Sequence, residues 1–294
     1  MATKAYTDIV LDGSTKVEIC PNANGPGAEV RGVDLAKLSP SLQLDTLKKA
    51  FLDHGVIYLR DQTITNKEIL SFARQIGSIE HHLNYRADGS EVPPIHDVTN
   101  LDASGKPSEN PTNNENYYWH SDKAYRPRPA LLTMLYGVEV PPSGGDTEFA
   151  DMTAAYDALP ADTKQKINTI KVVHSWRHMR EKLSNRSLTE EETREFPDVT
   201  HPLVRIHPDT GEKSLYLGMY CSKVVDLPDV EGQQLLQSLL EHATQARFVY
   251  AHKWRPRDLI MWDNRCLMHR AVPNYDLGKH RRILRRVVVQ GNAP

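Results

Sequence analysis

The chain has 294 residues, 39% of them hydrophobic and 25% charged, with a formal net charge of −2. That is the balance of a soluble globular protein; near-neutrality gives no electrostatic basis for binding nucleic acid or an anionic membrane surface, and no apolar run approaches a membrane span. Cys20, Cys221 and Cys266 are odd in number, far apart and without a CxxC spacing; with no apolar signal core after Met1, they read as reduced thiols of a cytoplasmic protein.

In chain order, residues 17–20 and 28–33 read as short strands separated by a turn-rich stretch at 21–27. Ser39-Pro40 offers an N-cap and a first-turn proline to a helix with Leu42, Leu44, Leu47, Ala50 and Phe51 on one stripe, stopped by Gly55. Residues 56–59 are continuously apolar, the mark of a buried strand. Thr65 and Glu68 have capping-box spacing and open a second helix, with Ile69, Phe72, Ala73 and Ile76 inward and a stop at Gly77. Residues 80–116 are dominated by Pro, Asn, Gly, Ser and Asp, broken only at 94–98. Such a stretch is either a lid over a site or a solvated loop.

Residues 130–140 read as a strand, 141–145 as a turn and 147–150 as a strand, after which Asp151 or Thr153 caps a short helix through Ala158. Residues 175–200 are charged and irregular, a second candidate lid. Residues 202–207 and 213–217 pair as a hairpin around Pro208-Asp209-Thr210-Gly211. A helix at 230–243 carries Leu235, Leu236, Leu239 and Leu240, and strands at 248–254, 259–262, 267–272 and 283–290 close the chain. The pattern predicts a mainly β fold with flanking helices and a sheet-on-sheet core, one domain over 1–294 with lid insertions at 80–116 and 175–200.

Tyr117-Tyr118-Trp119-His120-Ser121-Asp122 reads as a strand end in which His120 and Asp122 share a face. A third metal ligand must come from elsewhere, and His269 is the candidate. Two imidazoles and one carboxylate leave positions of an octahedral ion open, the arrangement of non-haem Fe(II) oxygenases. A second HxD, His207-Pro208-Asp209, falls in the predicted hairpin turn and reads as structural. On the last strand, alternation puts Arg282, Leu284 and Arg286 on one face and Arg285 and Val287 on the other. An inward arginine needs an anion, because an unpaired buried charge is costly. Arg286 serves either a dicarboxylate co-substrate or a protein carboxylate.

At these residues the sequence resembles the taurine dioxygenase and 2,4-dichlorophenoxyacetate dioxygenase family. The resemblance runs from Gly27-Ala28-Glu29-Val30-Arg31-Gly32-Val33-Asp34-Leu35 to the final strand. Its strongest blocks are Trp119 to Asp122, Gly144 to Asp151, Lys213 to Leu217, and Trp262-Asp263-Asn264-Arg265 through His269-Arg270. It implies a double-stranded β-helix (jelly-roll) core, with Fe(II) held by His120, Asp122 and His269, and 2-oxoglutarate as co-substrate. It implies that Thr147 hydrogen-bonds the 2-oxoglutarate, Arg286 pairs with its distal carboxylate, and Arg282 is a second arginine one face-repeat earlier. The segment between His269 and Arg286 is about two residues longer than in typical members; a slipped register gives Arg282 the role of Arg286.

By the same resemblance, His82, Tyr85 and Asn116 match residues that hold taurine, whereas the blocks near Thr147, Lys213 and Phe248 are closer to the aryloxyalkanoate enzymes. The expected reaction is O2-dependent hydroxylation of a small anionic organic acid, aryloxyalkanoate-like or sulfonate-like, with release of succinate and CO2. The expected assembly is a homo-oligomer, dimer or tetramer. Two alternatives stay open on sequence: a non-catalytic jelly-roll binding protein, and a zinc hydrolase using the same His/Asp/His set.

Overall fold

The computed structural model describes residues 6–11, 15–37, 42–80, 93–111, 114–183 and 188–294. Strands β1 (Tyr6–Leu11), β2 (Thr15–Pro21) and β3 (Ala28–Arg31) form an antiparallel run. Helix α1 (Leu42–His54) turns Leu44, Leu47, Ala50 and Phe51 into the core. It ends at Gly55, whose φ of 69° is left-handed and whose N–H closes on the Phe51 carbonyl at 2.8 Å. The expected Ser39-Pro40 cap lies outside the described residues. Strand β4 (Val56–Leu59) is buried at every position, as its unbroken apolar run predicts. Helix α2 (Asn66–Ile76) has the predicted capping box, with Thr65 accepting from Glu68 N–H and Glu68 from Thr65 N–H.

Next come β5 (Ile95–Thr99), β6 (Ala130–Glu139), β7 (Thr147–Asp151) and α3 (Met152–Asp157). Asp151 is the N-cap of α3, accepting from Thr153 and Ala154 N–H. Helix α4 (Ala161–Ile167) and strand β8 (Lys171–His174) follow. The segment expected to be irregular contains two short helices, α5 (Trp176–Leu183) and α6 (Glu190–Glu195). Local capping accounts for both: Ser175 Oγ accepts from His178 N–H, and Thr189 with Glu192 forms a second capping box. The chain continues with β9 (Val199–Pro202), β10 (Val204–Ile206), β11 (Lys213–Leu215), β12 (Cys221–Val224), α7 (Asp229–Ala243), β13 (Val249–His252), β14 (Leu259–Asp263), β15 (Leu267–Ala271) and β16 (Ile283–Gln290). Phe248, expected to begin a strand, instead ends a 3-10 turn.

The main sheet has eight strands in the order β1-β2-β3-β4-β14-β6-β16-β5. Both its faces are covered, and parity along the strands decides what goes where. Ile57, Leu132, Met134, Met261 and Val287 pack against α1 and α2 through Leu47, Phe51 and Phe72. Their neighbours Val56, Leu135, Ile260, Trp262 and Leu284 pack against Phe149 and Leu267 of a second sheet, β13-β7-β15. Each such fully buried side chain contributes about 1.5–3 kcal/mol relative to exposure. The second face therefore sets the addresses of the site: Thr133 and Leu135 on β6, Trp262 on β14, Leu284 and Arg286 on β16, Thr147 on β7 and His269 on β15. No helix among the described residues is long and apolar enough to cross a membrane, and all three cysteines are free thiols.

Candidate metal centre

His120 is not the end of a strand, as expected, but a single bridging residue. It exchanges backbone hydrogen bonds with His269 (His120 N–H to His269 O 3.1 Å, His269 N–H to His120 O 2.8 Å), and a turn begins directly after it. The bridge lies along the edge of β15 that β7 does not occupy. In that turn, which carries Lys123 at φ 57°, Asp122 stands beside both imidazoles. The two rings lie 4.2 Å apart between centroids. Asp122 Oδ1 is 3.8 Å from His120 Nε2, and Oδ2 is 3.7 Å from His269 Nε2. One ligand atom from each residue falls within 4.8 Å of the others.

The protonation state suits a cation. His120 Nδ1 donates to the Tyr118 carbonyl at 2.7 Å, which leaves Nε2 with its lone pair on the Asp122 side. Burial lowers the pKa of both imidazoles and keeps them neutral, in spite of the adjacent carboxylate. Burial alone would raise the Asp122 carboxyl; the Arg286 guanidinium and the Thr133 hydroxyl reverse that and hold it below the ordinary carboxylate range. Two neutral imidazoles and one carboxylate, all buried, form a donor set that fits Fe(II), with the cleft side open.

The cleft is lined by Val98, Asn116, Leu135, Thr147, Trp262, Arg282, Leu284 and Arg286 besides the three donors. Arg282, Leu284 and Arg286 do share one face; Arg285 points away to Asp97 and Asn66, and Val287 enters the opposite core. The two arginines differ in their partners. Arg286 Nη2 donates to Asp122 Oδ1 at 2.5 Å, so its anion is a protein carboxylate. Arg282 donates from Nε to the Gly145 carbonyl (2.9 Å) and from Nη2 to Thr147 Oγ1 (3.2 Å). No carboxylate among the described residues lies within ion-pair distance of it, and burial lowers its pKa. Asn116 borders the same cleft; His82 and Tyr85 lie outside the described residues.

The second HxD is structural, and more than a turn. His207 Nδ1 accepts from Asp209 and Thr210 N–H, so Nε2 carries the proton and donates to Asp263 at 3.0 Å. Asp263 also receives Arg265 Nε and Nη2 (2.8 and 2.6 Å), and Arg265 reaches Asp209. His207, Asp263 and Cys266 have metal-ligand spacing, yet the guanidinium already occupies both carboxylate oxygens.

Sequence reasoning missed two groups. Thr133 and Asn264 contact Asp122 at its side chain and its backbone N–H, respectively; the signal for Thr133 was one polar residue inside the apolar run Leu131 to Leu135. The other group is an aromatic cluster reaching out from His120. The Tyr220 ring lies 6.4 Å from His120, Tyr125 lies 4.9 Å from Tyr220, Trp176 lies 4.6 Å from Tyr125, and Phe196 lies 5.3 Å from Trp176. Trp176 and Phe196 come from the segment read as a lid.

The profile of the family described as "Taurine catabolism dioxygenase TauD, TfdA family" matches residues 18–288. The chain is 37% identical over 266 residues to an alpha-ketoglutarate-dependent 2,4-dichlorophenoxyacetate dioxygenase of Cupriavidus pinatubonensis, covering 88% of this chain and 92% of the relative. It is 35% identical over 271 residues to an (S)-phenoxypropionate/alpha-ketoglutarate-dioxygenase of Sphingobium herbicidovorans, covering 88% and 91%. Among solved structures, AAD-2 in complex with Mn(II) and N-oxalylglycine superposes with a TM-score of 0.84 at 39% identity, over 95% of this chain and 98% of that one.

Proposed function

The chain belongs to the TauD/TfdA family of Fe(II)- and 2-oxoglutarate-dependent dioxygenases, and we propose that its substrate is an aryloxyalkanoate-type acid. The observation that carries this reading is likeness over most of the chain, 37% and 35% identity, to the two relatives. The aromatic run behind His120 is packed on itself, with Tyr125, Tyr220 and Phe196 buried, and borders the metal centre as core. The named activities of the two relatives, on 2,4-dichlorophenoxyacetate and on phenoxypropionate, agree. Family membership leaves the binding-protein and zinc-hydrolase alternatives without support.

In this reading His120, Asp122 and His269 hold the iron. Fe(II) with 2-oxoglutarate and O2 supplies the oxidising power, the co-substrate leaving as succinate and CO2. The protein's part is placement. Thr147 Oγ1 and the Arg282 guanidinium present adjoining donors at the end of the cleft, suited to the distal carboxylate of 2-oxoglutarate. We therefore transfer that role from Arg286 to Arg282. Arg286, beside Asp122, sits at the reacting end, where it balances negative charge. Leu135, Trp262 and Leu284 make the wall between them apolar and limit water. Asn116 borders the substrate side. A hydroxyl placed on the carbon next to an ether oxygen gives a hemiacetal, which collapses to a phenol and a carbonyl compound.

We read the eight-stranded sheet and the facing β13-β7-β15 sheet as a jelly-roll core, and the described parts of 80–116 and 175–200 as its lids; residues 81–92, 112–113 and 184–187 of those insertions lie outside the described residues. Three free thiols accord with a reducing, cytoplasmic setting, and we retain a homo-oligomer as the assembly. The test of substrate class is succinate release with Fe(II), 2-oxoglutarate and O2, comparing phenoxyacetates with taurine. Stimulation by the phenoxyacetates is expected; stimulation by taurine alone would overturn the assignment.

A further inference from the structure

We infer that Thr133 and Asn264 are positioning residues for the metal centre, linked by a one-way chain of hydrogen bonds that ends on Asp122. Asn264 Oδ1 accepts two protons, from Asp122 N–H at 3.0 Å and from Trp262 Nε1–H at 3.1 Å. Two donors on one atom fix the orientation of the amide, since the opposite assignment would set N–H against N–H. Nδ2 therefore faces the other way and donates to Thr133 Oγ1 at 3.0 Å. A threonine hydroxyl has a single proton. With a lone pair of Oγ1 taken by Asn264, that proton goes to Asp122 Oδ2, 2.5 Å away.

The chain thus runs from Trp262 and Asn264 through Thr133 to the carboxylate, with no hydroxyl left free to turn. All four residues are buried, Thr133 and Asn264 at 0% and 1% exposure, so each bond acts at low dielectric and is costly to leave unmade. Asn264 grips Asp122 twice, at the backbone directly and at the side chain through Thr133. The second grip fixes the plane of the carboxylate between the two imidazoles and supplies a donor that favours its charged form. The backbone holds the ends of the chain. Asn264 N–H donates to the Leu131 carbonyl at 2.9 Å, and Thr133 pairs with Trp262 between β6 and β14. The sheet register thereby determines where the carboxylate stands.

The inference rests on the reading that His120, Asp122 and His269 hold the metal. Its test is calorimetric Mn(II) binding to metal-stripped, full-length protein, a readout independent of turnover. Thr133→Ser and Thr133→Ala both lose the methyl group and differ only in the hydroxyl, so their comparison separates the hydrogen bond from packing. Thr133→Ser is expected to bind Mn(II) as the parent does, and Thr133→Ala about 10- to 100-fold more weakly. Equal affinities for the two variants would overturn the inference. Asp122→Ala is the control for the underlying reading: if it binds Mn(II) like the parent, that reading fails, whatever the position-133 pair shows. If Thr133→Ala does not fold, Asn264→Ala is read in its place, and undiminished affinity there overturns the inference equally.

Discussion

Arg282 Nη2 donates to Thr147 Oγ1 at 3.2 Å inside the cleft, and the same hydroxyl accepts Trp254 Nε1–H at 3.0 Å. The threonine is thus held from one side by an indole and from the other by a buried guanidinium whose hydrogen-bond partners among the described residues are neutral. A charge in that condition calls for an anion from outside the chain. Replacing it by Arg282→Met is expected to raise KM for 2-oxoglutarate roughly 10- to 100-fold, the worth of one strong charge-assisted interaction. Steady-state kinetics at saturating substrate measure this. Arg286→Met is expected to change the same KM less; the reverse ranking would return the distal carboxylate to Arg286.

Gly145 is the second support of that arginine. Its φ is 67°, and a Cβ there would stand 2.8 Å from Pro141 Cγ and 3.2 Å from Arg282 Cδ. Gly145→Ala is expected to lose about 1–3 kcal/mol in urea unfolding from backbone strain, and to raise KM for 2-oxoglutarate as Arg282 is displaced. Unchanged stability and KM would show that the turn has slack.

The His207–Asp263–Arg265 network makes a prediction about pH. Burial would raise the Asp263 carboxyl, but Arg265 and His207 outweigh burial and hold it below the ordinary range. A depressed folded-state pKa gives stability that is present above the unfolded value, near pH 4, and is lost as the pH falls through the folded value. Arg265→Met strands a buried carboxylate, at a cost of about 3–5 kcal/mol at neutral pH. The stability gap between parent and variant, followed by urea unfolding, is expected to narrow as the pH falls from neutral through about 4, the stranded carboxyl of the variant protonating before that of the parent. A gap that stays constant with pH would mean that the network is not electrostatic.

The aromatic cluster makes a prediction about stability. Tyr125→Ala removes a buried ring in contact with Trp176, Phe196 and Tyr220, and is expected to cost about 3–5 kcal/mol in urea unfolding while leaving KM for 2-oxoglutarate unchanged. Unchanged stability would show that these rings do not pack as a core.

What the sequence disclosed follows from how local each signal is. The Thr65–Glu68 box, the turn at Pro208 to Gly211 and the apolar run of β4 are set by neighbours a few residues away, and each lies where it was expected. Alternation along β16 put Arg282 and Arg286 on one face correctly, but a face does not name a partner. The Asp122 contact that distinguishes the two arginines spans 164 positions. His120 misled in another way: a lone bridge to His269 imitates a strand end, and the turn that follows carries Lys123 in the left-handed region, a residue type with no preference for it. The helices α5 and α6 were hidden because their residues are charged and their lengths short, so capping was their only signal.

The most direct measurement is anaerobic addition of Fe(II) and 2-oxoglutarate to the metal-stripped protein, followed in the visible spectrum. A weak charge-transfer band is expected in the parent, absent in Asp122→Ala and weakened at equal 2-oxoglutarate concentration in Arg282→Met. An undiminished band in Asp122→Ala, or no band in well-folded parent protein, would contradict a ferrous centre built from His120, Asp122 and His269.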